Sequence, residues 1–148
     1  MPNAVTFKRQ TITGEDGTPY LVRWALNTPF GGVKLHHILR SDEDRDLHDH
    51  PWSFLSIILR GGYWEHVLNR YAVHSADPDA HRATFRTWYG PGRVLWRPAP
   101  SVHRLELPPG RTAWTLVFTG PKRREWGFHT ICGFIPWPAY AAAKEEGC

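Results

Sequence analysis

Residues 45–69 read RDLHDHPWSFLSIILRGGYWEHVLN, and this stretch decides the fold. Within it, FLSIILR (54–60) and YWEHVLN (63–69) are strand-like runs separated by Gly61–Gly62. A Gly-Gly pair between two such runs permits a primed turn, so the segment is predicted to be a β-hairpin. Just ahead of it, His48 and His50 stand two apart with Asp49 between them. Extended backbone puts residues i and i+2 on one face, so both imidazoles would point the same way. Asp49 would then face outward or anchor a neighbouring loop. Ser53, behind Pro51–Trp52, reads as a turn serine that could also reach the site through water.

Outward from this stretch the same period-two patterning recurs. YLVRWAL (20–26) sets Tyr20, Val22, Trp24 and Leu26 on one face. VKLHHILR (33–40) sets Val33, Leu35, His37 and Leu39 against Lys34, His36 and Arg40, and the apolar face is expected to look inward. TFKRQTI (6–12) alternates loosely, and Asp77–Pro78–Asp79 marks a loop. ATFRTWY (83–89) and RVLWR (93–97) flank the turn Gly90–Pro91–Gly92. SVHRLEL (101–107) places His103 with Leu105 and Leu107, and AWTLVFT (113–119) reads as a buried strand. PAYAAAKEEG (138–147) is predicted to be a short helix, with Pro138 near its start and Gly147 past its end. Many short strands without helical crossovers mean an all-β sandwich or barrel, and residues 1–148 suit a single domain.

Composition narrows the function classes. Eight Trp, seven Phe and five Tyr predict a densely packed interior with a polar rim. The net charge of +4 would suit an anionic partner, but basic residues are dispersed apart from Lys122–Arg124. That argues against nucleic acid. Of the two cysteines, Cys132 lies in an apolar stretch and Cys148 is the last residue, so no disulfide framework is expected and Cys132 reads as a packed small side chain. Neither a signal peptide nor a long apolar segment stands out. A soluble protein of the reducing cytoplasm is the expectation.

The motifs resemble those of the cupins, whose first motif is His-x-His, usually followed by a Glu and then a Gly, and whose second motif is Gly-x5-Pro-x-Gly-x2-His-x3-Asn. His48-x-His50 is followed by Gly61 and Gly62 at the matching distance, and Gly92, Pro98 and His103 match the second motif. More narrowly, SDEDRDLHDHPWSF, ILRGGYWEH and TLVFTGPKRREWGF resemble small cupin-like proteins of bacteria and phages. The resemblance implies a cupin-type double-stranded β-helix, a jelly-roll barrel, with a short C-terminal helix. It also implies a metal pocket, and leaves the substrate open. The chain departs from the motifs where the first Glu would fall at Phe54 or Leu55, the second Gly is Pro100, and the closing Asn is Leu107.

A histidine trio without that carboxylate resembles the three-His sites of cupin thiol dioxygenases. His48, His50 and His103 are therefore the candidate metal ligands. Fe(II) is the first choice, and Zn, Ni, Mn or Cu remain open because sequence fixes ligand type and not the metal. A mononuclear non-haem iron oxygenase acting on a small chelating substrate is the leading function. The alternatives are a non-redox lyase or isomerase, or a small-ligand-binding module with a structural metal or none. Glu65 and Tyr63 are candidate catalytic groups. Arg60, Arg97, Trp96 and Trp114 are candidates for holding substrate. His37 is weighed as a fourth ligand against a core histidine, and His66 as an acid or base against an exposed hairpin residue. DEDRD (42–46) opens like a calcium loop but lacks the Gly at the sixth position and the Glu at the twelfth, so it reads as a solvated turn. By analogy with cupins, the chain could pair as a homodimer.

Overall fold

The computed structural model describes residues 5–14, 16–42, 46–69 and 83–148. Asp77–Asp79 and positions 43–45 of the acidic segment lie outside the described residues. The first sheet contains β1 (Thr6–Thr13), β2 (Pro19–Thr28), β3 (Gly31–Ile38), β5 (Phe54–Arg60), β8 (Val94–Arg97) and β10 (Ala113–Thr119), in the order β1-β2-β3-β10-β5-β8. The second contains β4 (Leu47–His48), β6 (Tyr63–Leu68), β7 (Thr84–Tyr89), β9 (His103–Glu106), β11 (Gly127–Thr130) and β12 (Gly133–Pro136), in the order β12-β11-β4-β9-β6-β7. Every pairing among the described residues is antiparallel. From β3 onward the chain passes repeatedly from one sheet to the other, which closes the two layers into a jelly roll.

That topology corrects the predicted 54–69 hairpin. β5 pairs with β10 and β8, whereas β6 pairs with β7 and β9, so the two runs lie in different sheets. Gly61–Gly62 is the corner between the sheets. Gly61 has φ 75°, and a Cβ there would meet the Thr112 carbonyl oxygen at 2.1 Å, so the bend needs both the left-handed backbone and the bare α-carbon. The turn chemistry that suits a primed hairpin also suits a tight corner. Gly90–Pro91–Gly92 makes a second corner, between β7 and β8.

A second correction concerns which face looks inward. On β3 it is the Lys34, His36, Ile38 face, with Lys34 only 4% exposed while Val33 is 36% exposed. The register aligns Arg23, His36 and Thr115 across β2, β3 and β10, and Leu21, Ile38 and Ala113 in the next inward row. The latter row belongs to the apolar core, with Ile58, Tyr63, Leu95 and Leu107. The former row lines a cavity. The outward face of this sheet carries Trp24, Leu35, Trp114, Leu116 and Phe118, and His37 is stacked on Trp114 at 4.2 Å.

The C-terminal segment follows expectation in its helix and departs from it in its cysteines. A 3-10 turn, Trp137–Ala139, leads into α1 (Tyr140–Glu145), and Gly147 takes φ 100° beyond its end. Tyr140 is buried against Phe128 at 3.7 Å between ring centroids and donates its hydroxyl to Asp46 Oδ2 at 2.8 Å. Cys132 and Cys148 form a disulfide, which corrects the reading of Cys132 as a packed small side chain. The helix folds the chain back so that the two α-carbons stand 5.6 Å apart, within the range a disulfide spans. No described helix is long and apolar enough to cross a membrane.

Candidate metal centre and its cavity

The alternation at the end of β4 turns His48 and His50 toward the space between the sheets. Asp49 points the other way and is fully buried. Its carboxylate accepts the Gly127 N–H at 2.9 Å and pairs with Arg124 at 2.7 Å and His129 at 3.1 Å. Asp49 thus pins the segment 124–129 behind the two histidines. Ser53 also ties loops together, accepting the Ala99 N–H at 3.0 Å, while the His50 N–H donates to the Ala99 carbonyl at 3.1 Å.

His103 enters from β9, directly opposite His48 in the register. One ring nitrogen from each of His48, His50 and His103 lies within 4.8 Å of the others, and the Nε2 atoms of His50 and His103 are 2.8 Å apart. Glu65, on β6, accepts the Nδ1–H of His103 at 2.6 Å. That bond leaves the Nε2 lone pair of His103 aimed at the other two rings. Burial alone would raise the Glu65 carboxyl, but hydrogen bonds from His103 and Arg97 outweigh it and hold the group down at about 2. Glu65 is therefore an ionised positioning residue, clasped by the Arg97 guanidinium.

Burial also disfavours the charged forms of His48 and His50. It lowers His48 to about 4, against a small opposing pull from Asp42, and it lowers His50 well below the usual histidine value, with the charge of His103 adding to the effect. The Asp42 carboxylate stands 4.0 Å from His48 Nδ1 and accepts the Leu105 N–H at 2.6 Å. Three converging imidazole nitrogens form a donor set that fits a divalent transition metal, with chemistry suited to Fe, Zn, Ni or Cu. His37, on the outer face, is not in this group.

The cavity in front of the histidines measures about 120 Å³ and draws its walls from both sheets. Tyr63 lines it, and burial followed by the Glu65 charge pushes its hydroxyl above the ordinary tyrosine range. The other substrate candidates lie elsewhere. Arg97 is engaged with Glu65, and Trp96 is 59% exposed on the outside of β8. Arg60 and Trp114 border a separate surface groove with His37, Trp88 and Arg111. His66 is buried between Glu106 and Thr84, at 2.6 and 2.9 Å. In the basic cluster, Lys122 pairs with Glu125 and Arg124 with Asp49.

Residues that sequence reasoning passed over occupy the cavity instead. Arg23, Lys34, His36, Trp52 and Thr115 all line it. The signal was present, because Lys34 and His36 share one face of β3. It was outweighed by the assumption that the apolar face of a strand looks inward.

No protein-family model matches this sequence, and no curated protein does. Solved structures do resemble it. Fe(II) HppE superposes with a TM-score of 0.55 at 13% identity, over 76% of this chain and 56% of that one. The DMSP lyase DddQ from Ruegeria pomeroyi gives 0.54 at 13% identity, over 78% and 56%. A cupin-2 domain protein from Rhodospirillum rubrum gives 0.61 at 14% identity, over 86% and 78%. The chain spans little more than half the length of HppE and DddQ. At such identities the likeness establishes architecture, and the architecture is the one the motifs implied: a cupin-type jelly roll.

Proposed function

We propose that this protein is a metal-dependent enzyme acting on a small molecule, and that its reaction is an oxygenation supported by a single Fe(II) ion. The observation that carries the proposal is the convergence of His48, His50 and His103, with Glu65 fixing the His103 tautomer. Iron bound there would supply Lewis acidity and redox capacity. The remaining roles belong to the chain itself. Arg97 keeps Glu65 ionised, and Glu65 keeps His103 turned toward its neighbours. Phe54, Trp126 and Phe128 pack against the imidazoles and limit water around them. Tyr63, held neutral by burial, can donate a hydrogen bond to a substrate oxygen.

A non-redox lyase or isomerase is the second reading. It is favoured by the same Tyr63 hydroxyl, a hydrogen-bond donor on the cavity wall that could polarise a substrate oxygen without oxygen chemistry. The fold accommodates both, as the iron-bound HppE and the lyase DddQ illustrate.

The test is elemental analysis of purified protein, followed by anaerobic Fe(II) loading and measurement of O2 uptake with candidate small acids. Wild type should hold about one ion per chain. His48→Ala should lose most of it, because two imidazoles bind far more weakly than three. His37→Ala, altered on the outer face, should retain it. Equal metal content in the two variants would overturn the three-histidine centre, and full loading without O2 uptake would favour the lyase reading.

A further inference from the structure

Lys34 is an anomaly inside the barrel. It is 4% exposed, and its register neighbours on β2 and β10 are Ala25 and Val117, neither of which can balance a charge. Among the described residues it makes no hydrogen bond or ion pair, and its ammonium nitrogen sits 3.4 Å from the centroid of the Trp52 ring. An ammonium buried without a counter-ion is costly, and a cation–π contact offsets only part of that cost. Arg23 lines the same cavity, donating from Nε to His36 Nε2 at 3.0 Å.

The protein's own acids are committed elsewhere. Glu65 is held by Arg97 and His103. Asp42, the one acid among the cavity-lining residues, is bonded to the Leu105 N–H and faces His48. Two cations therefore line a cavity whose one carboxylate, Asp42, is engaged with Leu105 and His48. Thr115, 2% exposed and aligned with Arg23 and His36, adds a hydroxyl to the same wall.

We infer that Lys34, Arg23 and Thr115 form a seat for the oxyanion group of a small acid, a carboxylate, phosphonate or phosphate whose other end faces the three histidines. The charge missing from the wall arrives with the ligand, where hydrogen bonds to ionised partners are strongest. Size agrees with a small occupant. The cavity of about 120 Å³ falls below the roughly 300–1,000 Å³ typical of sites for drug-sized ligands. The inference deepens the proposed function by naming the substrate class, and it rests on reading this cavity as the substrate site.

Calorimetric titration of metal-free protein with inorganic phosphate and with acetate, near pH 6.5, tests the seat apart from the metal. Wild type should bind at least one of these anions. Lys34→Met should weaken that binding by about tenfold or more, the loss expected for a charge-assisted hydrogen bond, while retaining full metal loading in a separate assay. Removing an unpaired buried charge should not lower the melting temperature, so Lys34→Met is expected to fold. Arg23→Gln provides an independent variant with the same expected direction. If wild type binds neither anion, or both variants bind as wild type does, the seat is overturned. If the anion results stand while wild type takes up no metal, the seat survives and the metal centre falls.

Discussion

Lys34 shows how one residue can work against stability and toward function. Burial, reinforced by the Arg23 charge, lowers its ammonium to about 7. An unfolded lysine titrates near 10.4. Between those values the unfolded chain holds a proton that the folded chain lacks, so stability should rise with pH across that window. Below about 7 both states are protonated and the burial cost is present in full. Lys34→Met removes the effect. Urea unfolding at a series of pH values should show Lys34→Met more stable than wild type near pH 6.5, with the gap narrowing toward pH 10. Parallel stability curves would mean that Lys34 keeps its ordinary proton in the folded state. Arg23, in the adjoining row, adds to the cost of holding Lys34 there through its own charge.

Among the described elements β4 is the shortest; its last residue is His48, and His50 lies two residues beyond it. Two residues cannot fix a site alone, and Asp49 supplies what β4 lacks by clamping β11 behind it. Asp49→Ala leaves the Gly127 N–H and Arg124 without their partner, and should cost about 2–4 kcal/mol in urea unfolding. Asp49→Asn keeps an acceptor and should lose less. Equal losses would assign the effect to charge alone. His48 and His50 were legible because their spacing gives them a shared face, and His103 through the resemblance to the second cupin motif; the fold brings one ring nitrogen of each within 4.8 Å of the others. The opposite orientation of Asp49 was legible too, though its burial was not. The hairpin was misread because Gly61–Gly62 serves a turn and a corner equally well, and only the partners of β5 and β6 distinguish the two. The inward face of β3 was misread because its polar side lines a cavity and its apolar side lies outside. The disulfide escaped because it depends on the helix carrying Cys148 back to Cys132, which spacing alone does not reveal.

For the whole molecule, the outside of the first sheet is the unusual surface. Leu26, Val33, Leu59, Val94, Trp96 and Phe118 are all more than a third exposed there, around the partly buried Leu35, Ile57 and Leu116. A contiguous apolar face of several hundred Å² is the surface on which a partner would dock. Strand spacing and rise give it roughly 500–600 Å² in projection. That approaches the about 800 Å² per partner of a standard stable interface. We expect a second copy of the chain to cover it, sheet against sheet. Sedimentation velocity should find wild type dimeric at micromolar concentration and Leu116→Glu monomeric, with the metal content of both unchanged. A wild type that stays monomeric would return this face to solvent.

The two halves of the cavity belong to different layers. All three histidines come from the second sheet and its margin, whereas Lys34, Arg23 and Thr115 come from the first. A small acid reaching from one wall to the other would therefore act mechanically as a strut between two plates. Each plate is held by its own hydrogen-bonded ladder, and the cavity of about 120 Å³ lies between them. Ligand length would then set the gap between the layers. A molecule one bond too short would have to draw the plates together or release one end, and selectivity by length would come from the stiffness of the sheets themselves.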